Sequence, residues 1–325
     1  MTNTDTRDVE KTLEQIGALE AAGCDIVRLA VFDEVCAKNI AILKRRTNIP
    51  LVADIHFDYR LGIAAIENGV DKLRFNPGNI GSEINVKKLV DAAKARNVPI
   101  RIGVNGGSLD KPLLDKFGAP TPEAMVESAL QHVGILERAG FYDIVISLKA
   151  SDVPTCVAAY RLMHEHVDYP LHIGITEAGF GESAVIKSSV GIGALLLEGI
   201  GDTIRVSITG DPVNEVKAGI AILRAAGLRR SGIEVISCPT CGRCAVALEP
   251  IARRIEAALP KLQKGYLKLA VMGCAVNGPG EASEADIGIA FGHENAVVFK
   301  NGEKFFAAVQ DEAIEVLITE AKLMI

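Results

Sequence analysis

The sequence predicts an α/β protein: a TIM-type (β/α) barrel lacking its first strand, followed by a small α+β domain. Three observations predict it. From residue 25 onward a short β-branched run, a polar or Gly-rich turn and a segment with helical spacing of apolar residues recur in that order, seven times. This rhythm stops at Leu228-Arg229-Arg230-Ser231-Gly232, and Cys-rich and Gly-rich turns follow. The 325 residues, 49% apolar and 23% charged, exceed one ordinary core but suit a barrel of about 250 residues with a smaller domain attached.

Taken in order, residues 1–7 read as a loop and 8–22 as the first helix. The strand that should precede them would lie ahead of Met1, so the barrel is expected to start late or to have an open seam. Strand runs follow at 25–31, 51–57, 72–76, 100–105, 143–149, 171–176 and 202–208. Between them lie helix candidates such as 83–96, 122–139 and 212–226, the last two opening on a Pro suited to a first helical turn. Strands buried on both faces and joined by helices make a parallel sheet, and an eight-stranded closed barrel is the commonest use of so many units. The domain boundary falls at 230: residues 1–230 form the barrel expected to bind substrate, and 231–325 the α+β domain. The latter reads as strand 233–237, a Cys-rich turn, helix 245–259, strand 267–272, a Gly-rich turn, strands 285–291 and 296–300, and a closing helix from 311.

Composition narrows the function. A net charge of −6 gives no general attraction to nucleic acid, so an anionic ligand needs a local basic pocket. Apolar stretches fall short of the roughly 20 residues that span a bilayer, and the N-terminus has neither signal-peptide nor transit-peptide character. No membrane association is expected, and a cytoplasmic location is. Seven cysteines, gathered toward the C-terminal part, do not resemble the disulfide framework of a small secreted domain.

The sharpest motif is Cys238-Pro239-Thr240-Cys241-Gly242-Arg243-Cys244, joined by Gly273-Cys274 through Gly280-Glu281. Both segments sit where a strand run ends, so their thiolates can share one metal centre. Spacing alone leaves three readings open: a zinc knuckle, an iron-sulfur cluster on Cys238, Cys241, Cys244 and Cys274, or a redox dithiol. Cys24, Cys36 and Cys156 stand apart and read as small core residues.

Five predicted strands also carry a cation: Arg28, Arg74, Arg101, Lys149 and Arg205. A single one reads as solvated or salt-bridged. Five converging on the C-terminal rim, where barrel sites form, predict a phosphorylated ligand, although Arg101 stands early in its run. Asp54, His56, Asn76, Asn105, Ser207 and Glu177 accompany them, and Gly78, Gly106, Gly107 and Gly179 would let backbone N–H groups approach a phosphate.

Together these segments resemble the 4-hydroxy-3-methylbut-2-enyl diphosphate synthases in their compact bacterial form. The matching stretches are Met1-Thr2-Asn3-Thr4, Ala53-Asp54-Ile55-His56-Phe57, Asn76-Pro77-Gly78-Asn79-Ile80-Gly81, Arg101-Ile102-Gly103-Val104-Asn105, His172 through Gly179, Cys238-Pro239-Thr240-Cys241, and Met272-Gly273-Cys274 through Glu281. The resemblance implies an oxidoreductase of the methylerythritol phosphate route to isoprenoids. Such an enzyme opens 2-C-methyl-D-erythritol 2,4-cyclodiphosphate reductively, with electrons from reduced flavodoxin or ferredoxin. It implies a 4Fe-4S cluster on Cys238, Cys241, Cys274 and Glu281, leaving Cys244 aside. It further implies substrate binding by Arg28, Arg74, Asn76, Arg101, Asn105, Lys149, Arg205 and Ser207, catalytic roles for Glu177 and Glu281, and a homodimer whose subunits share active sites. The competing expectation is an aldolase or isomerase barrel acting on a sugar phosphate, with a structural zinc domain.

Overall fold

A computed structural model describes residues 1–260, 262 and 265–325, which form two compact units, Met1–Ala226 and Gly227–Ile325. In the first unit the strands β1 (Val27–Ala30), β2 (Leu51–Asp54), β3 (Lys72–Phe75), β4 (Ile100–Asn105) and β5 (Ile144–Lys149) pair in sequence order, all parallel. The short β6 (His172–Ile173) and β7 (Thr203–Ile204) pair parallel with each other, and a bridge between Ile146 and Leu171 continues the series from β5. Each strand is followed by helix, as in a TIM-type barrel.

Helix starts are written locally. Asp8, Asp33, Asp58, Thr121, Asp152 and Asp211 sit at N-caps with extended backbone, and each side chain accepts a backbone N–H of the first turn. The helices then lay Ile16, Leu19, Ile40, Leu43, Leu89, Ala129 and Tyr160 against the outer faces of strands whose own Leu29, Leu51, Leu73, Ile100 and Ile146 are fully buried.

Residues 1–7 form no strand, as the sequence suggests. The N-terminal segment nevertheless borders the sheet: Thr2 N–H donates to Arg28 O at 3.0 Å. Val27 and Val31 direct their N–H groups to β2, so alternation turns Arg28 O to the opposite side, and Thr2 occupies the free edge of β1.

In the second unit the order is β12-β11-β10-β9-β8, with β8 (Gly232–Ser237), β9 (Tyr266–Met272) and β10 (Ile287–Phe291) parallel and β11 (Asn295–Lys300) and β12 (Glu303–Val309) antiparallel. One sheet face, with Leu269, Val271, Ile287, Ile289 and Phe291, packs on helices Leu248–Ala258 and Gln310–Leu323. The other, with Ala270, Met272 and Ala290, takes the short helix Gly278–Ser283.

Three expectations need correction. The turn expected to carry Glu281 is that short helix. The helix expected over 245–259 begins only at Leu248, because Cys244 and Ala245 are bound into the preceding turn by Cys241 O and Gly273 O. The strand β12 has no counterpart in the sequence reading. It is an edge strand without a fully buried residue, so it shows no apolar alternation to detect.

Candidate active site

The five strand cations converge inside the barrel. Asp54, Arg74 and Arg101 follow one another in register across β2, β3 and β4, which turns their side chains to one face. The register explains why Arg101 belongs here although it stands early in its strand. Arg74 Nη1 donates to Asp54 Oδ1 at 2.9 Å, while Arg28 Nε and His56 Nε2 lie 3.7 and 3.8 Å from Asp54 Oδ2. Arg101 Nη1 donates to Ser147 Oγ at 3.2 Å, and that hydroxyl donates onward to Ile102 O at 3.3 Å. Arg205 Nη2 approaches Glu215 Oε1 at 3.6 Å, an oxygen already accepting Ile208 N–H at 3.1 Å.

These contacts leave positive charge in surplus. Among the described residues Asp54 pairs with Arg28 and Arg74 and Glu215 with Arg205, while Arg101 and Lys149 have no carboxylate partner. Lys149 Nζ, Arg74 Nε and Arg205 Nε are buried without a hydrogen-bond partner among the described residues, as is Asn76 Oδ1. Burial, then Arg101, Arg205 and Arg28, holds the Lys149 ammonium well below its usual 10.5. Burial brings Arg28 down to about 10 against the opposing pull of Asp54. His172, whose Nδ1 is 2.8 Å from Thr203 Oγ1, is held well below 6.5 by burial and then by Arg101, Lys149, Arg28 and Arg205. Asp54 goes the other way: burial would raise it, but Arg28, Arg74 and His56 outweigh that and keep its carboxyl below 3.8.

Glycines make room for these groups. A Cβ at Gly103 would stand 3.2 Å from Arg74 Nε and 3.1 Å from Ser147 Oγ. One at Gly174 would stand 2.3 Å from Arg205 O and 3.3 Å from Lys149 Nζ. Sequence reasoning gave neither glycine a role of its own and did not name Glu215; the signal for Gly103 and Gly174 was a glycine inside a strand run, a mark of close approach.

The remaining expected residues of this unit lie at strand ends. Asn105 closes β4 in register with Lys149. Asn76 follows β3 and Ser207 follows β7, both half-buried. Glu177 is exposed on the loop after β6 with φ +51°, a left-handed conformation uncommon for a side-chain-bearing residue.

In the second unit Ser237 and Val271 are register partners, so Cys238 and the Gly273-Cys274 pair leave adjacent strand ends. Gly273 N–H donates to Cys238 Sγ at 3.4 Å. The N–H groups of Val276 and Asn277 hold the Cys274 thiol below its ordinary value. Cys241 and Glu281 are exposed. Among the described residues no three His, Cys, Asp or Glu side chains are gathered as a metal-binding group.

With this geometry in hand, comparison with known proteins is decisive. Residues 1–220 match the GcpE TIM-barrel domain, and 234–323 match the GcpE protein C-terminal domain. The chain belongs to the GcpE family. Relatives named 4-hydroxy-3-methylbut-2-en-1-yl diphosphate synthase (flavodoxin) include that of Caldanaerobacter subterraneus subsp. tengcongensis, 60% identical over 100% of this chain and 91% of the relative. That of Geobacter sulfurreducens is 57% identical over 99% of this chain and 91% of the relative. The Brevibacillus brevis enzyme is 55% identical over 98% and 89%. Barrel and C-terminal domain of the GcpE architecture thus occur in the expected order, and no helix among the described residues is long and apolar enough to cross a membrane.

Proposed function

We propose that this enzyme of the GcpE family binds 2-C-methyl-D-erythritol 2,4-cyclodiphosphate on the buried cations of its barrel and converts it to 4-hydroxy-3-methylbut-2-enyl diphosphate. The reaction takes up two electrons and releases one water. The observation that carries this is the surplus of buried N–H donors without a partner among the described residues: Lys149 Nζ, Arg74 Nε and Arg205 Nε. Burying a charge costs several kcal/mol unless a partner offsets it, and a diphosphate supplies both the charge and the oxygen acceptors. Arg28, Arg74, Arg101, Lys149 and Arg205 take the phosphates, with Asn76, Asn105 and Ser207 completing the hydrogen bonding. The same cations stabilise the charge that grows on the diphosphate as the ring C–O bond breaks. Glu177 donates the proton on which the departing oxygen leaves as water.

The second unit suits a 4Fe-4S cluster on Cys238, Cys241, Cys274 and Glu281. Its donor set is soft thiols on adjacent strand ends, with N–H groups aimed at the sulfurs of Cys238 and Cys274, the environment that tunes such centres. When bound, the cluster supplies electrons one at a time and a Lewis-acidic iron. The functional division falls at residue 230. Reduced flavodoxin, which the relatives' names give as their partner, or a ferredoxin delivers the electrons. Phe57 and Phe180, 76% and 77% exposed on loops at the C-terminal ends of strands, support a mouth covered by a partner subunit in a homodimer, and the cytoplasm is the proposed location.

Metal analysis of anaerobically purified protein tests the reading. About four Fe per chain and a broad absorption are expected. About one Zn and no Fe would favour a barrel acting without redox chemistry.

A further inference from the structure

Cys244 is the cysteine of the Cys238-to-Cys244 run for which the proposed function has no use. Its surroundings are specific. Cys244 N–H donates to Cys241 O at 2.9 Å, closing a turn, and Ala245 N–H donates to Gly273 O at 2.7 Å, tying that turn to the end of β9. A Cβ on residue 273 would stand 2.3 Å from Cys244 Sγ and 3.5 Å from Cys238 Sγ. The two sulfurs thus share the space that a side chain at 273 would fill. They lie within about 6 Å of each other, and rotation about χ1 is the movement that would bring them toward disulfide distance. Cys238 and Cys244 both pack against the core of the second unit, whereas Cys241 is exposed.

We propose that in the cluster-free chain Cys238 and Cys244 form a reversible disulfide that withholds Cys238 from the cofactor. The link follows from the geometry; its effect on loading rests on the reading of Cys238 as a cluster ligand. A small disulfide R–S–S–R is the oxidant. The thiolate of one cysteine attacks a sulfur of it, expelling one RSH and leaving a protein–S–S–R mixed disulfide. The other cysteine then attacks the protein sulfur, forming the Cys238–Cys244 bond and expelling a second RSH. Two protein thiols lose two electrons, and one R–S–S–R is reduced to two RSH. A dithiol reverses the exchange. While linked, neither sulfur can climb to the irreversible sulfinic state.

The test uses the full chain, prepared without cluster and equilibrated with oxidised glutathione, then alkylated and cut with trypsin. Cleavage after Arg243 separates Cys238 from Cys244, so their link joins two peptides. The expected result is a joined pair with fragment ions placing the bond between Cys238 and Cys244. Cobalt(II), whose bonds to thiolate give a near-ultraviolet charge-transfer band, then reports the available ligands without adding sulfide, itself a disulfide reductant. That band is expected to weaken in the oxidised chain, which keeps only Cys241 and Cys274 of the proposed thiol ligands, and to recover after phosphine reduction. A bond to Cys241 instead, or glutathione adducts with no joined peptides, overturns the disulfide. A joined pair with an undiminished cobalt band leaves the link standing but overturns the withholding, and with it the assignment of Cys238 as a ligand.

Discussion

Lys149 shows most directly how a single residue couples stability to binding. Its ammonium is buried, without a hydrogen-bond partner among the described residues, and depressed by burial and by three arginines. Lys149→Met removes an unpaired charge from a buried and already cationic setting, so unfolding free energy is expected to stay level or rise by up to about 3 kcal/mol. Affinity for the cyclic diphosphate is expected to fall about 100-fold, or about 2.7 kcal/mol, by calorimetry. Asp54→Asn acts in the opposite sense, stranding Arg28 and Arg74, and urea unfolding is expected to show a loss of about 3–5 kcal/mol. His172 sets a pH dependence. Its folded value lies well below 6.5, so between the two values the unfolded chain holds a proton that the folded chain lacks. Stability is therefore expected to fall as pH drops below 6.5, and His172→Asn to flatten that slope in urea melts at pH 5 and 7. The cations were legible in sequence because a Lys or Arg inside a β-branched run is conspicuous. Glu215 was not, because an acid in the first turn of a helix is ordinary.

At the scale of elements, the βα units were legible because a β-branched run, a polar or Gly-rich turn and a helically spaced apolar segment recur in that order, most of the turns ending in an Asp or Thr cap. Less was legible where burial is shallow or the backbone approaches closely. The strand β12 lacks a fully buried residue, and the helix Gly278–Ser283 contains two glycines and a proline, which read as a turn. That helix can form against the sheet because Gly288 has no side chain: a Cβ there would stand 2.6 Å from Ala282 O and 2.9 Å from Ala282 Cα. Gly288→Ala is expected to push the helix, and Glu281 with it, off the sheet. A loss of about 1–3 kcal/mol in thermal unfolding and a lower iron content per chain would be measured. Unchanged iron with reduced stability would show that the seat of Glu281 does not matter to the cofactor.

For the whole molecule, the division into a barrel with a cation-lined interior and a sheet with cysteines at its strand ends matches the two kinds of chemistry a reductive ring opening needs. One part must hold and stabilise a diphosphate; the other must deliver electrons. The order of the two was readable from the break in rhythm near residue 230, and so was the gathering of the five cations, whereas the alignment of Asp54, Arg74 and Arg101 across three strands depends on sheet register, which spacing along the chain does not encode. The most direct measurement is a single-turnover reaction, under strict exclusion of air, of the iron-loaded chain with the cyclic diphosphate and a chemical reductant. The expected result is 4-hydroxy-3-methylbut-2-enyl diphosphate formed at two electrons per molecule, and its loss in Lys149→Met without loss of iron. Iron-loaded, reduced protein that leaves the cyclic compound intact would contradict it.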